Sequence, residues 1–214
     1  MLFRVVRFER DRNTFIATAR VKDQRLRGRR AVFEAAQTLF ALQGYSATPL
    51  AQIGAAVGLR AGSLYNHIGS KQELLLGIAT EAHQALRRET FQAFAQPRPP
   101  VAGLRVAAFC HAYAHAGAPW AMLVLAQDLA CVEGPLPTRA RALQDDIRAQ
   151  LVALVRQGQD AGAFDPVPAE PVADLVIGAG PVVAKRVIAA PHLNPEELAR
   201  EHADLALRLV GCAA

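Results

Sequence analysis

Cysteine, aromatic residues and long apolar runs are all scarce in this chain, and each scarcity excludes a class of protein. Cys110, Cys131 and Cys212 are the 3 cysteines in 214 residues. An odd, widely spaced set does not make a disulfide framework, and a reducing compartment suits it. Aromatic side chains make up only 6%. No stretch reaches the roughly 18 uncharged apolar residues that a bilayer span requires. Pro119 to Ala126 and Leu175 to Ala184 both fall short. Arg4, Arg7, Glu9, Arg10, Asp11 and Arg12 interrupt the segment where a signal peptide would be apolar. The expectation is a cytoplasmic protein with no membrane partner. Alternating segments of strand length are missing too, as is any internal repeat.

What the chain does have is apolar bulk. Hydrophobic residues are 52% and charged residues 20%, which excludes general disorder. The length fits one domain or two small ones. The net charge of +5 is unevenly spread. Up to Lys71 there are 12 Lys/Arg against 4 Asp/Glu, a net of +8, and the remainder carries 12 against 15, a net of −3. Arg20, Lys22, Arg25, Arg27, Arg29 and Arg30 form a dense run with one acid, Asp23. That pattern fits a polyanionic partner, with nucleic acid first, or a solvated helix face with a ragged tail.

Periodicity predicts helices throughout. Residues 1–23 show no sustained period and read as a basic extension. From Leu26, the residues Val32, Phe33, Ala36, Leu39 and Phe40 follow helical spacing up to Gly44, a plausible left-handed cap. Thr48-Pro49 reads as an N-cap and first helical residue, starting a short helix to Val57. Gly58 turns the chain, and a second short helix runs from about Ala61 to His67. Ser70 and Glu73 have capping-box spacing before a longer helix through Glu89 or beyond. After the linker Gln96-Pro97-Arg98-Pro99-Pro100, proline and glycine breaks leave helices near 101–117, 119–132, 138–162, 169–190 and 195–211. Pro181 should kink the fourth of these. The fold class is all-α with about nine helices: a three-helix helix-turn-helix domain and a helical C-terminal domain.

Two short helices with a glycine turn, behind a longer amphipathic helix, describe a helix-turn-helix. Ile53 and Val57 face inward, Leu59 plugs the gap, and Leu64 anchors the second helix. Arg60, Ala61, Ser63, Asn66 and His67 are left to face a groove. The pieces Ala35-Ala36-x-x-Leu39-Phe40, Gly44-Tyr45, Thr48, Ile53, Val57-Gly58-Leu59, Gly62-Ser63-Leu64-Tyr65-x-His67-Ile68 and Ser70-Lys71-x-x-Leu74 resemble the DNA-binding domain of tetracycline-repressor (TetR) family regulators. Three positions depart from that pattern. Gly54 stands where alanine is usual, Arg60 where serine or threonine is usual, and Ile68 where phenylalanine is common.

The resemblance implies a sequence-specific DNA-binding transcriptional regulator, a repressor released from its operator by a small-molecule effector, and not an enzyme. It implies a homodimer on double-stranded DNA of near-palindromic sequence. It divides the chain into residues 24–70, the DNA-binding domain, and 71–214, a ligand-binding and dimerisation domain. Arg60, Ala61, Ser63 and Asn66 then match the recognition helix, while Tyr65, His67, Lys71 and Thr48 match positions that hold the phosphate backbone. Each also has a plainer role: Tyr65 packing on the first helix, His67 capping a helix end, Thr48 as a simple N-cap, Lys71 as a solvated lysine. A regulator without a small-molecule pocket, or an enzyme with an accessory helix-turn-helix, are the alternatives.

In the C-terminal part, Phe109, His111, Tyr113, His115, Trp120, Gln127, Asp128 and Cys131 are the densest mix of aromatic, soft and polar groups. They are candidates for an effector site or for a core helix pair with its usual aromatics. His111 and His115 stand four apart, a spacing that clamps a metal on one helix face. No second fixed-spacing pair accompanies them, so no metal and no cofactor is expected. The resemblance implies that the apolar stripes of 172–190 and 195–211 form the dimer's four-helix bundle; the alternative is a monomer that buries the same stripes internally.

Overall fold

The computed structural model describes residues 24–212. The predicted basic extension, residues 1–23, lies outside the described residues. Every regular element among those described is helical. There are ten α-helices: α1 Gln24–Gln43, α2 Leu50–Ala56, α3 Ala61–Leu64, α4 Lys71–Phe94, α5 Pro100–Gly117, α6 Pro119–Asp128, α7 Leu136–Asp160, α8 Ala169–Gly178, α9 Gly180–Ala189 and α10 Pro195–Leu209. A 3-10 turn, Leu129–Cys131, continues α6. About nine are predicted; the tenth arises because the disturbance expected at Pro181 interrupts residues 169–190 at Ala179, giving α8 and α9.

The head is α1 to α3 closed by the start of α4. Val32, Ala36 and Phe40 of α1 are fully buried together with Ile53, Leu64, Leu75 and Ile78. Gly44 adopts φ 85° and Gly58 φ 71°, left-handed values that end α1 and turn the chain before α3. The Ser70 hydroxyl accepts from Glu73 N at 3.0 Å and starts α4. The reciprocal half of this cap is shifted by one residue, since the Glu73 carboxylate accepts from Gly69 N at 2.8 Å.

α4 is shared between the head and the rest of the molecule. Leu74, Leu75 and Ile78 near its start and Ala82, Leu86 and Ala93 farther along are all buried in one continuous core that joins the two parts. In the body, α5 packs on α10 and α4, α6 on α4 and α9, and α7 on α8. The buried face of α5 is mostly small: Gly103, Ala107, Ala108, Ala112 and Ala116. This lets neighbouring helices approach closely. A pair between Arg148 and Asp174, with contacts at 2.6 and 3.1 Å, ties α7 to α8. Another, at 3.1 Å, joins Arg186 of α9 to Glu201 of α10.

The break between α8 and α9 has a direct cause. Pro181 carries no N–H, so the Ile177 carbonyl loses the donor a continuous helix would give it. His111 of α5 supplies one instead: its Nε2 lies 3.1 Å from Ile177 O. A carbonyl only accepts, so His111 carries its proton on Nε2. His202 of α10 faces the adjoining Val176 carbonyl. A Cβ at Gly180 would lie 2.4 Å from His115 Nε2 and 2.8 Å from His111 Nε2. Only glycine fits where the broken helix rests on the two rings.

Candidate nucleic-acid interface and body sites

The second short helix of the helix-turn-helix is shorter than predicted. α3 spans Ala61–Leu64, and Tyr65 to His67 continue as a turn. Arg60 precedes α3 in extended backbone (φ −71°, ψ 150°). Its carbonyl accepts from Ser63 N at 2.9 Å and from Leu64 N at 3.2 Å. With no side-chain cap bond at that position, the Arg60 guanidinium stays exposed. Leu64 at 0% and Ile68 at 4% exposure anchor the segment from below. Gly62, Tyr65 and Asn66 are exposed above it and Ser63 is half-buried. Tyr65, 59% exposed, does not pack away against α1. His67 is half-buried against α1, where a Cβ at Gly28 would come 2.6 Å from its ring.

The departure at Gly54 now has a physical basis. A Cβ there would lie 2.9 Å from the Leu59 carbonyl oxygen. Leu59 N also donates to Gly54 O at 2.8 Å. The turn therefore folds directly onto α2, which sets the height of α3 above it.

Two of the predicted phosphate contacts sit differently from expectation. Thr48 is completely buried. Its hydroxyl donates to the Gly44 carbonyl at 2.8 Å, and the N-cap of α2 is Pro49, without a side-chain cap bond. The N-cap reading of Thr48 is therefore corrected: the hydroxyl is used at the end of α1 and offers nothing to a phosphate. Lys71 is half-buried. Its ammonium lies 4.3 Å from the centre of the Tyr45 ring and 5.9 Å from that of Phe40. It is held by aromatic faces rather than freely solvated. In the basic run, Arg29 pairs with Glu73 at 2.9 Å and Arg30 with Glu34 at 2.8 Å.

The eight candidate effector residues separate into several places. Phe109 and Tyr113 stack at 5.7 Å with a 10° interplanar angle. Phe109 lines an open groove of about 320 Å³ with Arg105, Val106, Glu196, Arg200 and Ala203. His111 and His115 are buried at the α8–α9 break, 4.9 Å apart between ring centres. Burial pushes His111 down to about 4, against the bond to Ile177, and His115 to about 3, with His111 and His202 adding to the shift. Nδ1 of both rings and Nε2 of His202 are buried with no hydrogen-bond partner among the described residues. Among the described residues no three His, Cys, Asp or Glu side chains are placed to hold a metal ion. Trp120 is half-buried, and Gln127 and Cys131 are exposed.

Asp128 is buried and turned toward the head: Oδ2 accepts from Tyr45 N at 3.1 Å. Burial raises its pKa, opposed by that N–H and by Lys71. Beside it, Tyr45 Oη donates to Gln72 Oε1 at 2.9 Å, and Gln72 Nε2 donates to Cys131 O at 3.1 Å. This joint between head and body is absent from the motif reading. Its partners are 83 and 59 residues apart, beyond the reach of any local pattern.

On the far side of the body, Leu175 of α8, Val182 of α9, and Leu205 and Leu209 of α10 are exposed at 59, 55, 56 and 39%. Leu175, Leu205 and Leu209 line a groove of about 350 Å³ between α8 and α10. No helix among the described residues is long and apolar enough to cross a membrane.

Comparison with known proteins agrees with this architecture. The family described as bacterial regulatory proteins, tetR family, matches residues 32–78, and a tetracyclin repressor-like C-terminal domain matches residues 97–210. A bacterial regulatory protein in the tetR family from Rhodococcus RHA1 is 24% identical, covering 87% of this chain and 98% of that one, with a TM-score of 0.68. The regulator PfmR from Thermus thermophilus is 27% identical, covering 83% and 97%, with a TM-score of 0.65. AibR, solved with isovaleryl coenzyme A and operator DNA, is 21% identical, covering 85% and 97%, with a TM-score of 0.64. No curated protein matches the chain.

Proposed function

The chain belongs to the tetR family of bacterial regulatory proteins, and from that premise we propose that it is a repressor whose paired heads hold a near-palindromic operator until a small effector binds the body. DNA-binding transcriptional regulation is the family's activity, and its members are generally not enzymes. The finer reading rests on one observation: the exposed turn Arg60, Gly62, Tyr65 and Asn66 stands over buried Leu64 and Ile68. One helical turn on a rigid base is a shape that a major groove admits. Arg60 is the base reader, suited to two-pronged pairing with guanine. Asn66, Ala61 and Ser63 are its neighbours on the same segment. Tyr65 and His67 hold phosphate, and Lys71 reaches one from its perch on Tyr45.

The second head comes from a second copy of the chain, seated on Leu175, Val182, Leu205 and Leu209. Two-fold pairing then sets two recognition turns about one helical repeat apart, roughly 34–36 Å. The test is selection of double-stranded DNA from a random pool by the full chain, followed by affinity at rising salt. A two-half-site sequence, with affinity falling steeply as phosphate counterions are displaced, is the expected result. Failure to enrich any sequence would sink the reading.

A second reading, a regulator with no small-molecule pocket, is favoured by the scatter of the eight candidate effector residues over separate parts of the body. Short acyl-coenzyme A thioesters are the first compounds to try, because the AibR structure holds one. Release of the selected DNA by such a compound favours the effector reading, and indifference to a broad panel favours the alternative.

A further inference from the structure

A carboxylate buried between two parts of a molecule is costly unless something there needs it. Asp128 is 8% exposed, at the last residue of α6. Its hydrogen bond goes to a main-chain N–H of the head, that of Tyr45. A side chain that grips a backbone group registers the position of the chain itself, whatever residue stands there. The Tyr45 hydroxyl reaches Gln72, and Gln72 reaches back to the Cys131 carbonyl just beyond α6. Lys71 covers the face of the same ring. Three contacts from the end of α6 and the start of α4 thus meet on one residue, at the corner between α1 and α2.

We propose that Asp128 is a positioning residue that sets the angle of the head on the body, and through it the spacing of the two recognition turns. The proposal rests on the operator-binding reading above. At 3.1 Å the bond tolerates little lengthening, so a shift of about half an ångström at the end of α6 weakens it. The body would then release the head without any change at the recognition turn. On this account Asp128 is no effector contact, and Tyr45 matters for DNA binding without touching DNA.

The test uses the full chain and the DNA site selected by the unaltered protein, together with sites whose half-site spacer is one base pair shorter or longer. The unaltered protein should prefer one spacing. Asp128→Ala should bind that site about tenfold more weakly and the two altered sites no worse than before, so that the preference collapses. Asp128→Asn keeps an acceptor oxygen and should restore it. Hydrogen exchange at the Tyr45 amide should quicken in the alanine variant alone. If Asp128→Ala exchanges Tyr45 faster yet keeps the spacing preference, the residue is merely structural and the proposal falls. Should Asp128→Ala fail to fold, Gln72→Ala carries the same test, with a partial loss of preference expected and full retention overturning the proposal. An unaltered protein that selects no DNA overturns the functional reading and this one with it; a protein that selects DNA but ignores these substitutions overturns this one alone.

Discussion

At the scale of single residues, exposure and hydrogen bonding separate side chains that the motif alone treats alike. Arg60→Ala should cost about 1–3 kcal/mol at one base position and relax preference there, whereas Tyr65→Ala should weaken binding to all sequences evenly. Competition among single-base variants of the selected site distinguishes the two. Thr48 provides a sharper contrast. Its hydroxyl is spent on Gly44 O, so Thr48→Val should lower stability by about 1 kcal/mol and leave the affinity of the folded protein for DNA unchanged. A phosphate contact at Thr48 would instead weaken binding to every DNA sequence alike. Thr48 is also where sequence reading reaches its limit. Threonine before proline has the pattern of an N-cap, but whether the hydroxyl points forward to α2 or back to α1 depends on the turn at Gly44, which is set by packing.

At the scale of elements, helix periods and breaks are legible because Gly44, Gly58, Ser70 and the proline clusters each act within a few residues of themselves. Pro181 announces a disturbance between α8 and α9. How the break is completed is not legible, because the donor replacing the missing N–H comes from His111, 66 residues away. The same histidines resemble ligands for an effector when only their spacing is known. Gly180→Ala tests this packing. The added methyl meets His115 and His111 at 2.4 and 2.8 Å, and overpacking of this kind costs about 1–3 kcal/mol. Urea unfolding should show that loss, while a control at Gly178, where a Cβ meets nothing within 4 Å, should show much less.

At the scale of the whole molecule, the buried imidazoles make stability depend on pH. Their folded values are near 4 for His111 and near 3 for His115, against 6.5 when unperturbed. As pH falls through 6.5 the unfolded chain takes up protons that the folded chain refuses. Their neutral packing is thus fully favourable above about pH 6.5 and is lost progressively down to about pH 4 for His111 and about pH 3 for His115. Urea midpoints between pH 7 and pH 5 should fall accordingly. His115→Leu, which leaves the Ile177 bond in place, should flatten part of that slope. Pairing of two chains is checked at the same scale: Leu205→Glu places a charge on the apolar face and should yield a monomer in sedimentation. The helix α4 joins these scales. Its 24 residues extend about 36 Å at 1.5 Å per residue. Used as a lever, it turns a tilt of about 5° at the body into a sweep of about 3 Å at the head, close to the roughly 3.4 Å rise of one base pair. With the pivot at Ala93, a rotation that moves buried Leu86 by only about 1 Å is therefore enough to put a recognition turn one rung out of step.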